Sequence, residues 1–118
     1  MATILHIAFV EHWEAAQEAG SYRWSTRGKS LDDGATFIHA SRPEQVAKVA
    51  NFVYADVAEP LCLLVIDPRK LRVPVVAENL EGGPEKFPHD YGPIPADAVT
   101  SVIELQHDRD GWRWPGRA

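Results

Sequence analysis

The chain has 118 residues, 45% of them hydrophobic and 25% charged, which is an ordinary balance for one globular domain with one core. Its formal net charge is -5 and it has no run of basic residues, so tight binding of duplex DNA or RNA is disfavoured. A small anionic ligand held by a few local donors remains compatible with this charge. We therefore predict a single domain over residues 1–118.

Cysteine usage and the start of the chain bear on its location. The lone Cys62 lies inside an apolar run, so we expect a buried thiol and no disulfide. Residues 1–9 have no basic start, and their apolar stretch is short, which disfavours a signal peptide. No run approaches the ~20 apolar residues of a membrane span. We expect a cytoplasmic location and no membrane partner.

The first elements in the chain are predicted as a strand and a helix. Residues 3–9 are short, β-rich and apolar, which indicates a largely buried strand. Residues 11–19 are rich in Ala, Glu and Gln, which favour helix, and Gly20 supplies a C-terminal stop. The next segments are predicted as a short extended piece (21–24), a polar loop (25–34) and a second strand (36–40).

The clearest local signal marks the start of a second helix. Ser41 is followed by Pro43 and Glu44, the spacing of a capping box in which a serine hydroxyl and a glutamate carboxylate bond reciprocal backbone amides. Apolar residues then recur at the spacing of one helix face: Val46, Val49, Ala50 and Val53. We predict a helix over residues 42–55.

The second half of the chain is richer in strands. Residues 61–67 form an apolar run that indicates a core strand. Residues 71–78 predict another strand, with Pro74 suggesting an edge position or a bulge. Residues 80–95 contain three glycines and four prolines, which predicts a long irregular loop with a functional role.

The chain ends with a predicted strand and hairpin. Residues 98–106 read as a strand, and Asp110-Gly111 is a hairpin turn signal leading into Trp112 and Trp114. Two early helices followed by a strand-rich half predict an α+β fold rather than a doubly wound sheet.

Three of the five histidines occupy distinctive positions. His6 and His39 interrupt apolar strands, and His89 lies in a loop stiffened by prolines and a glycine. A polar ring in a strand needs partners when it is buried, and histidine exchanges protons near neutral pH. We predict that His6, His39 and His89 line one polar cleft, and we expect His12 and His107 to be solvated.

Other residues extend this prediction. The helix start at Ser41 offers backbone amides and a dipole that favour a phosphate. Ser25 borders the polar loop, and the Tyr91 ring follows His89, where it can stack on a base or nicotinamide ring. Glu78, which ends a strand, is a further candidate acid, base or ribose-binding group. No metal-binding spacing is present, so we expect no metal, although three histidines brought together only in space leave a metal-dependent hydrolase open.

Four segments resemble a known family, an uncharacterised bacterial domain of unknown function numbered 952. The resemblance covers residues 4–105 and is carried by Ile4-Leu5-His6-Ile7-Ala8, Phe37-Ile38-His39-Ala40-Ser41, Leu64-Val65-Ile66-Asp67-Pro68 and Phe87-Pro88-His89-Asp90-Tyr91-Gly92-Pro93-Ile94-Pro95. That family resembles in turn the ADP-ribosyltransferase-like superfamily, which includes the RNA 2'-phosphotransferases. The resemblance implies a split or strongly bent mixed β-sheet flanked by two helices, with NAD in the cleft.

The resemblance also assigns roles to residues. It implies that His6 contacts a ribose and that His39 and Ser41 correspond to a second-strand histidine and serine before a helix. Leu5 stands where the phosphotransferases carry an arginine, and Asp90 is the acid nearest to the place of the transferases' catalytic glutamate. A binding role and altered chemistry are therefore both open.

Our leading hypothesis is a cleft that binds NAD, ADP-ribose or a related nucleotide. His6, Ser25, Ser41 and Tyr91 would bind the ligand. If the protein is an enzyme, we expect group transfer or hydrolysis at a ribosyl or phosphate centre, with His39 and His89 exchanging the proton. The alternative is a non-catalytic module that binds a small molecule or a protein, with structural histidines and a contact surface at Trp112 and Trp114. The sequence identifies no protein partner.

Overall fold

A computed structural model of the chain describes residues 3–79 and 84–114, which contain ten strands and two helices. The helices are α1 (Val10–Ala19) and α2 (Val46–Val53). The strands are β1 (Ile4–Phe9), β2 (Ser21–Tyr22), β3 (Ile38–His39), β4 (Leu61–Ile66), β5 (Val75–Glu78), β6 (Phe87–Asp90), β7 (Ile94–Pro95), β8 (Val99–Glu104), β9 (Gln106–Asp108) and β10 (Gly111–Arg113). The α+β prediction is therefore confirmed.

The central sheet has three strands in the order β1-β4-β8 and is covered on both faces. Because side chains alternate along a strand, β4 sends Cys62, Leu64 and Ile66 into one core, together with Ala16 of α1. Leu61 and Leu63 enter a second core. The continuous apolar run of β4 follows from this double burial, and the predicted core strand and buried thiol are both confirmed.

The two cores lie on opposite faces of the central sheet. The first contains, among others, Ile4, Ala8, Tyr22, Ile38 and Ile94. The second contains, among others, Ile7, Val46, Val49, Ala50, Tyr54 and Trp112. α1 therefore packs against the first core and α2, with the β9–β10 hairpin, against the second.

A second three-stranded sheet, in the order β3-β6-β5, adjoins the first. Two backbone hydrogen bonds join them, from Leu5 N–H to Ser41 O (2.8 Å) and from Ser41 N–H to Leu5 O (2.7 Å). Two-stranded pairs, β2-β7 and β9-β10, complete the strands. Every strand pair within residues 3–79 and 84–114 is antiparallel, so the expected mixed sheet is instead a set of antiparallel sheets.

The first helix follows its prediction closely. α1 ends at Ala19, and Gly20 adopts a left-handed conformation (φ 84°) that only glycine adopts readily. The Gly20 N–H donates to the Ala16 carbonyl (2.7 Å), which closes the last turn. No helix in the described part of the chain has the length and apolarity to cross a bilayer.

The start of the second helix corrects the predicted capping box. Ser41 pairs with Leu5 through its backbone and stays outside the helix. The carboxamide of Gln45 accepts from the Arg42 N–H (3.0 Å), so the side-chain cap is one-sided and lies one residue later than predicted. Glu44 instead forms an ion pair with Arg42. A 3₁₀ turn over Pro43–Gln45 precedes α2, which ends at Val53 rather than at residue 55.

The predicted loop over residues 80–95 is also corrected. Residues 80–83 lie outside the described part, but β6 is the central strand of the second sheet and β7 pairs with β2. Pro88 is tolerated in β6 because its carbonyl still accepts from the Ala40 N–H (2.9 Å), just past the end of β3. The N–H that proline lacks removes at most one hydrogen bond from the sheet at this position. The preceding strand begins at Val75 and lies at the sheet edge, as Pro74 indicated.

Candidate functional site

The second sheet brings two of the predicted histidines together. His39 of β3 and His89 of β6 are direct cross-strand partners, and their ring centroids lie 5.3 Å apart. Cross-strand partners share a face of a sheet, and so do residues two apart along a strand. This face, which we call the histidine face, consists of Phe37, His39, Val76, Glu78, Phe87, His89 and Tyr91.

His89 is held in one orientation. Its ring is fully buried, and Phe37 stacks on it with ring centroids 3.9 Å apart. Nδ1 lies 3.0 Å from Glu78 Oε1, and the Tyr91 hydroxyl donates to the same oxygen (2.5 Å). The Tyr91 bond, followed by that of His89, lowers the pKa of Glu78, so this carboxylate is ionised and accepts both bonds. His89 therefore carries a hydrogen on Nδ1.

A cavity of about 260 Å³ opens beside His39. It lies between β3 and the segment that precedes it, and His39 belongs both to its wall and to the histidine face. The Ser25 hydroxyl accepts from the His39 backbone N–H (3.1 Å), which fixes the segment against the strand. The lining residues are Ser25, Thr26, Lys29, Gly34, Ala35, Thr36, Phe37 and His39.

The cavity wall is ordered although it has no regular secondary structure beyond short 3₁₀ turns. Ser25 N–H donates to the Lys29 carbonyl (2.7 Å), which closes a tight turn. Within it Arg27 adopts φ 54°, an unusual conformation for a residue with a side chain. Arg27 is held there because its N–H donates to the Tyr54 hydroxyl (2.8 Å) and its guanidinium to the Val53 carbonyl (2.7 Å) and Asp56. The predicted polar loop is thus anchored to the end of α2.

His6 lies behind this site and not in the cavity wall. Its side chain is 2% exposed, and Nδ1 lies 2.7 Å from the His39 carbonyl while Nε2 lies 2.9 Å from the Tyr22 hydroxyl. Because a carbonyl only accepts, Nδ1 carries the hydrogen and Nε2 accepts from the tyrosine. Burial lowers the pKa of His6 to about 4, so the ring is neutral at physiological pH. This geometry gives the predicted ribose contact no support.

Of the other predicted binding residues, Ser25 and Tyr91 lie at the site and Ser41 does not. Ser25 lines the cavity, and Tyr91 lies at the rim of the histidine face, 36% exposed and 5.5 Å from the Phe37 ring. Ser41 is 4% exposed, and its N–H is occupied by the Leu5 carbonyl. The amide predicted to hold a phosphate is therefore already bonded within the fold.

Asp90 occupies the opposite face of β6 from His89. Its cross-strand partners are Ile38 and Val75, which belong to or pack against the first core. The carboxyl group is fully buried, and neither oxygen has a hydrogen-bond partner among residues 3–79 and 84–114. Burial raises its pKa to about 7. Asp90 faces away from the histidine face, so the geometry does not place it where it could replace a catalytic glutamate there.

The remaining histidines and tryptophans differ in burial. His12 is half-buried and stacks on Trp24 (centroids 4.5 Å apart), so the prediction that it is solvated is wrong. His107 is exposed as predicted and stacks on Trp112. Trp112 is 2% exposed, with its indole N–H donating to the Tyr54 carbonyl (2.8 Å), which removes it from any contact surface.

No group of three His, Cys, Asp or Glu side chains is arranged to hold a metal ion within the described ranges 3–79 and 84–114. Two residues of the cavity wall were not singled out from sequence, Phe37 and Lys29. Phe37 had a usable signal, because it stands two residues before His39 and so shares its face in any strand. Lys29 had none, since an isolated lysine in a polar loop is ordinarily solvated.

Comparison with known proteins adds the following. The family model described as "Protein of unknown function (DUF952)" matches residues 7–102. The crystal structure of protein CC0527 from Caulobacter crescentus is similar, with 31% identity over 93% of this chain and 91% of that chain and a TM-score of 0.76. The solution NMR structure of CC0527 gives 31% identity, coverage of 95% and 91% and a TM-score of 0.70. No curated protein matches the chain significantly.

Proposed function

The chain belongs to the DUF952 family, and we propose that it binds NAD, ADP-ribose or a related nucleotide at the cavity beside His39. The observation that carries the proposal is the position of His39, which joins a polar cavity to a face of aromatic rings. Nucleotide sites need such a combination, because the base or nicotinamide ring stacks on aromatic side chains while hydroxyls and cations bind the sugar and phosphate.

The size of the cavity limits how much of the ligand it holds. Its volume of about 260 Å³ lies just below the ~300 Å³ at which small-molecule sites begin. We place one sugar-phosphate portion of the nucleotide inside it, against Ser25, Thr26 and Thr36. The ring then extends over Phe37 and Tyr91 on the histidine face.

The same arrangement suits proton transfer. His39 lines the cavity and is the group placed to exchange a proton with the ligand. The Phe37 ring covers His89, so His89 contacts a ligand only if the Phe37 side chain rotates away. Glu78 orients His89 through Nδ1, the arrangement of an imidazole positioned by a carboxylate. If the protein is an enzyme, group transfer or hydrolysis at a ribosyl or phosphate centre fits these groups.

The second candidate is a non-catalytic binding module. It is favoured by His6, whose two ring nitrogens are both satisfied within the fold, and by the complete burial of His89. In this case the cavity binds its ligand without chemistry. Binding without any turnover of NAD or ADP-ribose would separate the module from the enzyme.

A thermal-shift screen tests the proposal, with NAD, NADP, ADP-ribose, AMP and ribose phosphates as ligands. A ligand at 100 times its Kd stabilises the native state by about 2.7 kcal/mol, which is measurable in a domain of this size. We expect a shift that is lost in His39→Ala and kept in His107→Ala, an exposed histidine on the distant hairpin. No shift with any nucleotide, or a shift that His39→Ala retains, would overturn the proposal.

A further inference from the structure

We propose that Lys29 makes the cavity an anion site, so that the phosphate of the proposed nucleotide binds there and not at the Ser41 helix start. This inference rests on the proposed function for the identity of the nucleotide, but its electrostatic part stands on its own observations.

The first observation is the charge of the cavity wall. Among its lining residues Lys29 alone is ionic, and no carboxylate faces the space. The chain as a whole carries a formal charge of -5, whereas this wall has one cation and no acid, so its charge is opposite in sign to that of the whole chain. Two other cavities of similar size differ in this respect. One, near Pro60, is lined by Glu11, Glu14 and Glu59, and the other is lined by Asp108 and Asp110 with Arg109.

The second observation is that Lys29 has no ion-pair or side-chain hydrogen-bond partner within residues 3–79 and 84–114. The two nearest acids along the chain are committed elsewhere: Asp32 binds Arg23 through both oxygens (3.0 and 3.2 Å), and Asp33 accepts from the Ser30 hydroxyl (3.3 Å). An ammonium group with neutralising neighbours would bind an added anion weakly. No such neighbour pairs with Lys29 in the described part of the chain, so its charge is available to a ligand.

The third observation is that the base of Lys29 is fixed. Its N–H donates to the Thr26 carbonyl (3.2 Å) and its carbonyl accepts from the Ser25 N–H (2.7 Å). Its side chain runs along Gly34, where an added Cβ would lie 4.0 Å from the Lys29 Cε. The turn and this contact therefore place the exposed Lys29 side chain at the cavity wall. Thr26 and Thr36 also line the cavity, and a threonine hydroxyl can donate to the same anion.

The Ser41 site lacks these features. Its N–H is bonded to the Leu5 carbonyl, and Arg42 beside it is paired with Glu44 and the Lys86 carbonyl. Both the amide and the cation that the sequence offered for a phosphate are occupied. The anion site therefore moves from the helix start to the turn.

The test measures binding by calorimetry with three probes: AMP, adenosine and inorganic pyrophosphate. Lys29→Met removes the charge and keeps the length of the side chain, Lys29→Arg restores a charge, and Lys70→Met is the matched control at an exposed turn. We expect Lys29→Met to weaken AMP at least about tenfold and to leave adenosine unchanged, because a hydrogen bond to a charged group is worth about that factor. Lys29→Arg should recover most of the affinity, and Lys70→Met should match the wild type.

The outcomes separate the two proposals. AMP binding that Lys29→Met leaves unchanged overturns the anion site and leaves the nucleotide proposal standing. If pyrophosphate binding depends on Lys29 and AMP binds no more tightly than pyrophosphate, the anion site is supported. The nucleotide proposal is then overturned, because the adenosine part contributes no affinity. If neither AMP nor pyrophosphate binds the wild-type protein at millimolar concentration, the anion site is overturned, and the thermal-shift screen with NAD and ADP-ribose decides the nucleotide proposal.

Discussion

His39 and His89 lie directly opposite each other on neighbouring antiparallel strands, with ring centroids 5.3 Å apart, although 50 positions separate them in the chain. The two rings have different surroundings. His39 lines an open cavity, whereas His89 is fully buried between Phe37 and the Glu78 carboxylate. Two adjacent imidazoles with different access can therefore take different roles, one at the ligand and one behind it.

The shared carboxylate of Glu78 gives a first prediction. Tyr91 donates to Glu78, and this bond raises the pKa of the tyrosine hydroxyl because the carboxylate favours the protonated phenol. In Glu78→Gln the pKa of Tyr91 should fall towards its ordinary value. Tyrosinate absorbance in an alkaline titration measures it, with Tyr91→Phe identifying the transition. An unchanged Tyr91 titration would show that the bond does not form.

The buried bond between His6 and Tyr22 gives a second prediction. Tyr22→Phe leaves His6 Nε2 without its donor at a site 2% exposed, so the free energy of unfolding should fall by about 1–2 kcal/mol. Tyr91→Phe removes a tyrosine hydroxyl at an exposed position and should lower the free energy of unfolding by less. Urea unfolding of both variants provides the comparison. Equal effects would contradict the structural role of His6.

Asp90 gives a third prediction, on pH dependence. Its pKa of about 7 in the folded protein lies above the ordinary 3.8, so between these values the native state binds more protons than the unfolded state. Stability from this group therefore falls as pH rises from about 4 to 7, by a total on the order of 4 kcal/mol. Asp90→Asn should remove that loss. The free energy of unfolding of this variant, compared with that of the wild type, should therefore be more favourable at pH 8 than at pH 4.

His6 works in the opposite direction, and the experiment has to separate the two. Its pKa is lowered to about 4 from 6.5, so the unfolded state binds more protons between these values and stability rises with pH there. The two contributions oppose each other in the wild type below pH ~6.5. Asp90→Asn should therefore show a rise in urea midpoint from pH 4 to 6.5 that is steeper than in the wild type. Parallel profiles for the two proteins would contradict the burial of an ionisable Asp90.

A fourth prediction concerns the hairpin. Gly111 has φ 106°, and a Cβ there would lie 2.2 Å from Asn51 Oδ1, the atom that accepts from the Trp112 N–H. Gly34 has nearly the same φ (104°), but a Cβ there would meet only the Lys29 Cε at 4.0 Å, an ordinary van der Waals contact. Both alanine variants bear the backbone strain, of about 1 kcal/mol, and Gly111→Ala also breaks the Asn51 contact. Thermal unfolding should place Gly111→Ala clearly below Gly34→Ala, and equal midpoints would contradict the close approach.

Local sequence patterns predicted those elements that local interactions decide. The apolar run of β4 and the alanine-rich α1 with Gly20 were visible because burial and helix propensity act within a few residues. β6 was not predicted because Pro88 within it and Gly92 just after it disfavour a central strand. Its place depends on pairing with β3 and β5, which are distant in sequence.

The site shows the same division. The sequence identified His39 and His89 because polar rings in these contexts are unusual, and Glu78 because it ends a strand. It misplaced the helix cap, since the pairing of Ser41 with Leu5 joins residues far apart in the chain. The hydrogen bonds of His6 to Tyr22 and His39 are likewise long-range, so nothing near His6 in the sequence distinguished a satisfied ring from a ligand-binding one.

The most direct test of the proposed cavity is an NMR titration of the protein with ADP-ribose, following backbone amides and histidine ring signals. We expect the shifts to concentrate at Thr36, Phe37 and His39, with the Lys29 signal moving in the same concentration range. His6 and His107 should change little, the first because it is enclosed and the second because it lies on the hairpin. Shifts centred on the cavity at Asn51 and His107, or none at saturating ligand, would contradict a nucleotide site beside His39.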